Sequence, residues 1–319
     1  MWNALTNVVY DAHSTAPLDR ALESEYVYSV LDALRERMGE SFAHYSFHVF
    51  NCGNPAVRPA SMDDPHPRKV LIYTADERGT LPLELSEHYV AIFKGYLPDD
   101  RKPGNIFPLP LGYVNGVTNG STAKSCDREL DVFFSGNLNR NRIALYREFS
   151  MLRYVPAWLV ESGIANPKMR NAIRFVFGAD FSKAFERGYI CFTRNFGEGL
   201  SRKNYAEKLN NARIAFCPGG FHSAETFRHF EAARAGCVVI SERLPDNVLY
   251  RNAPILQVNS WREGIDLANE LLADPERLAA VQEETLAWWN DHWSANAVAR
   301  DIQEKLEDRI ESVMETSRV

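Results

Sequence analysis

Several absences narrow the field before any motif is read. The five cysteines (Cys52, Cys126, Cys191, Cys217, Cys237) are odd in number and form no CxxC pair. Three of them sit in the apolar runs YICFT, IAFCP and GCVVI, which suits buried reduced thiols better than disulfides or a zinc centre. No apolar run approaches the length of a membrane span, and the opening residues lack the basic start and apolar stretch of a secretory leader. The expectation is a cytoplasmic protein, peripheral at the inner face of a membrane at most. Walker A, GxSxG, HExxH and full GxGxxG motifs are all missing, and Gly197–Gly199 lacks the third glycine at the required spacing. A first strand without the glycine fingerprint disfavours a dinucleotide oxidoreductase. Repeats and low-complexity segments are also lacking.

What remains is an ordinary soluble composition, with 45% hydrophobic and 24% charged residues in 319. That length suits two domains of roughly 100–200 residues each. A net charge of −6 argues against a dedicated nucleic-acid binder, so no nucleic-acid partner is expected. The charge is uneven. Between Asp131 and Cys237 stand 16 Lys/Arg against 9 Asp/Glu, leaving that region at +7 and the rest at −13. A basic region in an acidic chain suits an anionic ligand in a cleft; a merely solvated imbalance is the alternative.

The first third alternates strands with helices. NVVYDAH, SFHVFN and KVLIYTA read as buried parallel strands, with a helix over Leu22–Met38 and another expected over Glu84–Tyr96. NIFPLPLGY reads as one more strand, broken by prolines. The Gly/Asn/Ser/Thr-rich stretch from Val114 to Glu129 reads as a linker, which places a first domain at 1–116 and a second at 117–294. In the second half DVFFSGN, YICFTRN, RIAFCPGG, CVVIS and ILQV read as strands. Helices are expected over Ser201–Asn211, Ser223–Ala235, Trp261–Ala273, Pro275–Asn290 and Ala295–Val313. Strands alternating with helices predict an α/β protein with a parallel sheet in each half. The last helix, within 295–319, carries Val298, Ile302, Leu306, Ile310 and Val313 as a narrow apolar stripe. That stripe packs back on the body of the protein or serves helix pairing or a membrane edge. The cluster Trp288, Trp289 and Trp293 reads as core packing.

The chemistry concentrates in YAEKLNNARIAFCPGGFHSAETFRHFEAARAGCVVIS. Here a buried strand delivers Gly219 and Gly220 to the sheet's C-terminal edge, where glycine lets backbone N–H groups approach a ligand closely. Ser223 is the expected N-cap of a helix whose positive end would favour a phosphate, with His222 beside the loop. Three residues apart on that helix, Arg228 and Glu231 share a face. The arginine can neutralise phosphate, and the glutamate can accept two hydrogen bonds from ribose hydroxyls. Upstream, FFSGNLNRNR makes Ser135–Asn137 a turn after a strand, with Gly136 in it and Arg140 and Arg142 following. Arg202 and Lys203 are weaker cation candidates.

In its order of strand, Cys-Pro-x-Gly, Ser, Arg and F-E-A-x-x-A-G-C-V-V-I, this segment resembles the donor-binding segment of exostosin-like and related GT-B glycosyltransferases. Gly219 stands where exostosin-like proteins usually carry an arginine. The resemblance is dense over about 40 residues, looser over 131–290 and faint before residue 116. It implies two Rossmann-like domains facing a cleft, the nucleotide on the C-terminal one and the acceptor on the N-terminal one. It further implies that Glu231 holds the ribose and that Arg228 and the Gly219–Ser223 loop face the diphosphate. In such enzymes the turn holding Ser135 and Gly136 also faces the donor phosphates, with Arg140 or Arg142 as the nearby cation; a solvated helix start is the alternative. A UDP-sugar is the first expected donor, with CMP- and GDP-sugars next, and the acceptor is a glycan or a lipid-linked glycoconjugate. There is no D-x-D, the short acidic motif that holds a divalent metal in GT-A enzymes, so neither metal nor other cofactor is expected. Arginine and a helix N-terminus would then neutralise the leaving diphosphate. A base for the acceptor hydroxyl is sought at strand ends of the first domain, where Asp11 and His13, and Asp76 and Glu77, are the candidates. The competing reading is a module that binds a sugar nucleotide without chemistry.

Overall fold

A computed structural model describes residues 2, 5–98, 104–118, 127–164, 166–195 and 197–316; residues 119–126 of the expected linker, Cys126 among them, lie outside these. The chain divides into two compact units. Unit 1 comprises residues 1–115, 245–251 and 290–319, and unit 2 comprises 116–244 and 252–289.

Unit 1 holds a five-stranded parallel sheet in simple sequential order: β1 (Val8–Tyr10), β2 (Ser46–Asn51), β3 (Lys69–Thr74), β4 (Ala91–Lys94) and β5 (Ile106–Pro108). Continuous rather than alternating apolar runs make these strands, and all residues of β3 and β4 are buried. The helix expected over Glu84–Tyr96 does not form. Only Leu83–Leu85 makes a 3₁₀ turn, and the second half of that stretch is β4. The reason lies in YVAIFK, an apolar run with no polar face for a helix to turn outward. Prolines confine NIFPLPLGY to the short edge strand β5.

Helix α1 (Ser24–Met38) packs along α9 (Ala295–Thr316), and the Tyr26 hydroxyl donates to the Trp293 carbonyl at 2.8 Å. Val298, Ile302 and Leu306 of the predicted stripe are buried, as are Trp289 and Trp293. The side chains of Ile310 and Val313 lie outside the described residues.

In unit 2 the parallel sheet runs β10-β9-β8-β6-β7, built from β6 (Leu130–Asn137), β7 (Gly188–Thr193), β8 (Ala212–Cys217), β9 (Val238–Ser241) and β10 (Ile255–Gln257). The chain lays β7 on one side of β6, then returns to lay β8 on the other. Parallel sheets bind ligands at such a reversal, outside the carboxyl ends of the two strands. Beneath it lies a core that includes Phe134, Phe192, Ile214, Phe216, Ile240 and Trp261. Helices α5 (Arg202–Asn210), α7 (Trp261–Ala273) and α8 (Pro275–Trp288) fall where the sequence predicts them. In the stretch the sequence reading leaves unassigned stand α2 (Ile143–Phe149), α3 (Ala157–Ile164) and α4 (Pro167–Phe177). The four described cysteines are free, and burial pushes the Cys237 thiol up to about 11.

Candidate functional site

The reversal in unit 2 gathers two of the predicted arginines. From the end of β6 the chain turns at Asn139, whose side chain accepts the Arg142 N–H at 3.1 Å. That cap folds Arg142 inward, and the side chain is buried. Its Nε donates to the Gly219 carbonyl at 2.9 Å and its Nη1 to the Asn137 carbonyl at 3.0 Å. Arg228 arrives from α6 (Phe227–Arg234), donates from Nη2 to the Ser135 carbonyl at 2.6 Å, and lies over the Phe134 ring at 5.1 Å. Its Nε is buried without a hydrogen-bond partner.

Gly136 separates the two cations. A Cβ built there would meet Arg228 Nη2 at 2.8 Å and Arg142 Nη1 at 2.9 Å, so no other residue leaves both guanidinium groups where they are. Like charges brought this close repel, and an anion seated between them would relieve both. Ser135 is buried beside this glycine, whereas Arg140 is exposed.

Two expectations need correcting. Helix α6 begins at Phe227, not Ser223. Thr226 is the N-cap, and its N–H donates to His229 Nδ1 at 3.2 Å, while the Ser223 hydroxyl accepts only the local Glu225 N–H at 3.1 Å. His229 decides the start because it is anchored below: its Nε2 meets Ser241 Oγ at 2.7 Å, and that hydroxyl donates to the Cys217 carbonyl at 3.2 Å. Burial pushes His229 down to about 4, so the ring is neutral.

The glycine loop also departs from expectation, because its N–H groups are already engaged. The Gly219 N–H meets Glu242 Oε2 at 3.3 Å, and the Gly220 N–H donates to the Ser223 carbonyl at 2.7 Å. Glu242 is itself held by Trp261 Nε1 at 2.7 Å. The loop is therefore a brace, tied to the β6 turn by Asn141 Nδ2, which donates to the Gly220 carbonyl at 2.8 Å. His222 is exposed at its tip.

Glu231 is buried, one turn along α6 from Arg228, and its Oε2 accepts the Tyr205 hydroxyl at 2.9 Å. Arg234, the other cation at helical spacing, sends Nη1 to the Val117 carbonyl at 2.8 Å. Burial, and then the Glu231 charge, hold Tyr205 well above its ordinary range, so it remains a donor. Sequence reasoning missed Tyr205 and Glu242; a tyrosine opening the segment and an acid just after CVVIS are the signals that could have found them.

On unit 1 the four candidate bases differ in what they have to offer. Asp11 is buried and accepts the N–H groups of His13, Ala60 and Ser61, each at 2.9 Å. Burial alone would raise its pKa, but those bonds overcome it and lower the group. Asp76 is buried in an ion pair with Lys94 at 3.1 Å and accepts the N–H groups of Arg78 and Thr80. Both carboxylates are engaged in organising loops. His13 is exposed, and its Nδ1 meets the Arg58 carbonyl at 2.9 Å. Facing an acceptor, that nitrogen must carry the proton, which leaves Nε2 basic. Glu77 stands two residues after Ala75, a non-glycine residue at φ 71°, and its Oε2 is buried without a hydrogen-bond partner. A further carboxyl, unmarked in the sequence, is Glu23: it is buried against Asn51 Nδ2 at 2.7 Å, and burial raises its pKa. Among the described residues no three His, Cys, Asp or Glu side chains are grouped to hold a metal.

No protein-family model matches this chain, and no curated protein does. Solved structures do. An alpha-glucosyltransferase in complex with UDP-glucose and DNA containing an abasic site is 9% identical, with 94% of this chain and 98% of that chain covered and a TM-score of 0.53. An alpha-glucosyltransferase in complex with UDP is 9% identical over 94% and 99%, with a TM-score of 0.50. An O-GlcNAc transferase of Thermobaculum terrenum is 13% identical over 96% and 68%, at 0.47. At these identities the likeness is one of fold. This chain has the GT-B fold, with two Rossmann-like α/β domains.

Proposed function

We propose that this chain is a glycosyltransferase that moves a sugar from a nucleotide-sugar donor, a UDP-sugar first, to a glycan or lipid-linked acceptor without a metal. The observation that carries the reading is the pair Arg142 and Arg228 flanking Gly136 at the strand reversal of unit 2. Two fixed cations can take up the charge that develops on a leaving diphosphate, the work a divalent metal does elsewhere. Glu231, oriented by Tyr205, is the ribose acceptor in this reading. The exostosin-like character of the segment belongs to the same proposal. Support from outside comes from the shared fold: the two alpha-glucosyltransferases carry UDP-glucose and UDP.

For inversion an acceptor hydroxyl must lose its proton as the sugar's positive charge develops. Of the four candidates on unit 1, His13 Nε2 and Glu77 Oε2 are the atoms not engaged in organising a loop. One of the two solved structures contains DNA, but a net charge of −6 does not suit backbone-tracking contact, so DNA enters as a control acceptor.

Calorimetry with UDP, GDP, CMP and ADP, in EDTA and with added Mn²⁺, tests the proposal. Binding of UDP that survives EDTA and falls in Arg228→Ala is expected; no nucleotide bound at millimolar concentration would overturn it. His13→Ala and Glu77→Gln separate enzyme from binding module. An enzyme loses turnover of the UDP-sugar in at least one variant while nucleotide affinity holds, and a binding module shows no turnover to lose.

A further inference from the structure

Seven of the twelve large apolar side chains exposed among the described residues fall within 151–176 of unit 2. Trp158 is 71% exposed and Phe175 91%, on helices α3 and α4, which pack against one another. Helix α4 already has an apolar face turned inward, through Ile173 and Phe177 of the unit 2 core. Its outer face carries Met169, Ala172, Phe175 and Val176, spaced three and four apart, so it is apolar a second time. Such a surface on a globular domain marks an interaction site.

The charge around it says which kind. Residues 151–176 hold Arg153, Lys168, Arg170 and Arg174 against Glu161 alone, in a chain whose net charge is −6. Arg153 and Lys168 are exposed. Exposed aromatic and aliphatic side chains interleaved with cations fit a bilayer interface, where rings seat at headgroup depth and cations meet anionic headgroups. A second copy fits poorly, because a two-fold contact would set these cations against themselves. The described part of the apolar stripe on α9, Val298, Ile302 and Leu306, is buried.

We infer that the α3–α4 surface docks the protein on a membrane bearing anionic lipid. Flotation with vesicles of phosphatidylcholine alone and of phosphatidylcholine mixed with phosphatidylglycerol tests it. The full chain is expected to float with the anionic vesicles, less so at high salt, because exposed charges are screened. The double variant Trp158→Ser/Phe175→Ser and the double variant Lys168→Glu/Arg170→Glu should each partition roughly ten-fold less, a loss of about 1.4 kcal/mol. None of the four side chains is buried, and unchanged circular dichroism melts show that the variants are folded. UDP binding by the same variants keeps this test apart from that of the proposed activity. Wild-type protein that stays with the vesicle-free fraction, or variants that float as well as wild type, would overturn the inference. So would sedimentation showing a wild-type dimer and a monomeric Trp158→Ser/Phe175→Ser variant, which would assign the surface to a second copy.

Discussion

Glu231 accepts the Tyr205 hydroxyl, and the two arginines at helical spacing, Arg228 and Arg234, donate to the Ser135 and Val117 carbonyls. A tyrosine hydroxyl fixes the carboxylate without removing its charge, and that charge is what a ribose would meet. Charge-assisted bonds to ribose contribute on the order of 1.5–3 kcal/mol each before desolvation. Glu231→Gln should therefore weaken UDP binding by roughly ten-fold or more, and wild type should bind a 2′-deoxy nucleotide less well than the ribonucleotide. Equal affinities in both comparisons would remove the ribose role. Gly136 gives a second expectation. Gly136→Ala places a methyl at 2.8 and 2.9 Å from two guanidinium nitrogens, and since these are ends of long side chains they must move rather than the backbone. The fold should survive, and calorimetry should show UDP affinity reduced at least as far as in Arg228→Ala. At this scale the sequence singles out Arg142 and Arg228, which the fold brings together at Gly136, but not the burial of Arg142. Arg142 looks like a helix-start residue until the Asn139 cap and the Gly219 carbonyl are seen to draw it inward.

Among the elements, α6 is the one whose start the sequence misplaces, and the residue responsible has a measurable signature. His229 is neutral in the fold because burial lowers it from 6.5 to about 4. The unfolded chain takes up a proton near 6.5 that the folded chain refuses, so this stability is full above that pH and is lost as pH falls toward 4. The loss amounts to about 3 kcal/mol. His48, also lowered by burial, acts with the same sign. Thermal melts of His229→Gln should therefore fall less between about pH 7 and pH 4.5 than those of wild type; parallel curves would show the imidazole to be indifferent. Most strands are legible because buried parallel strands are continuous apolar runs ended by polar residues. YVAIFK obeys the same rule and contains β4. Yet Leu83–Leu85 and the polar residues after it suggest a helical start. What hides β4 is Lys94, whose charge looks like a surface position and is in fact buried against Asp76.

At the scale of the molecule the units are not two lengths of chain laid end to end. Unit 1 needs residues 245–251, where Asn247 Nδ2 donates to the Leu97 carbonyl at 2.8 Å, and needs α9, whose buried stripe packs on α1. A chain cut after Trp289 should keep unit 2 with its own core and leave unit 1 without that cover. Limited proteolysis of the shortened chain should degrade 1–115 first, and calorimetry should show the lower of two transitions weakened or lost. Both units melting unchanged would count against that division of labour. The order in which the units can be completed is therefore the reverse of the order in which they begin. The sheet of unit 1 precedes that of unit 2 in the chain yet waits for α9, which follows unit 2, while the sheet of unit 2 can close in the meantime. A parallel sheet held open through that interval exposes strand edges and apolar faces. Unit 1 is thus the part left exposed by a pause within residues 116–289 or by loss of α9.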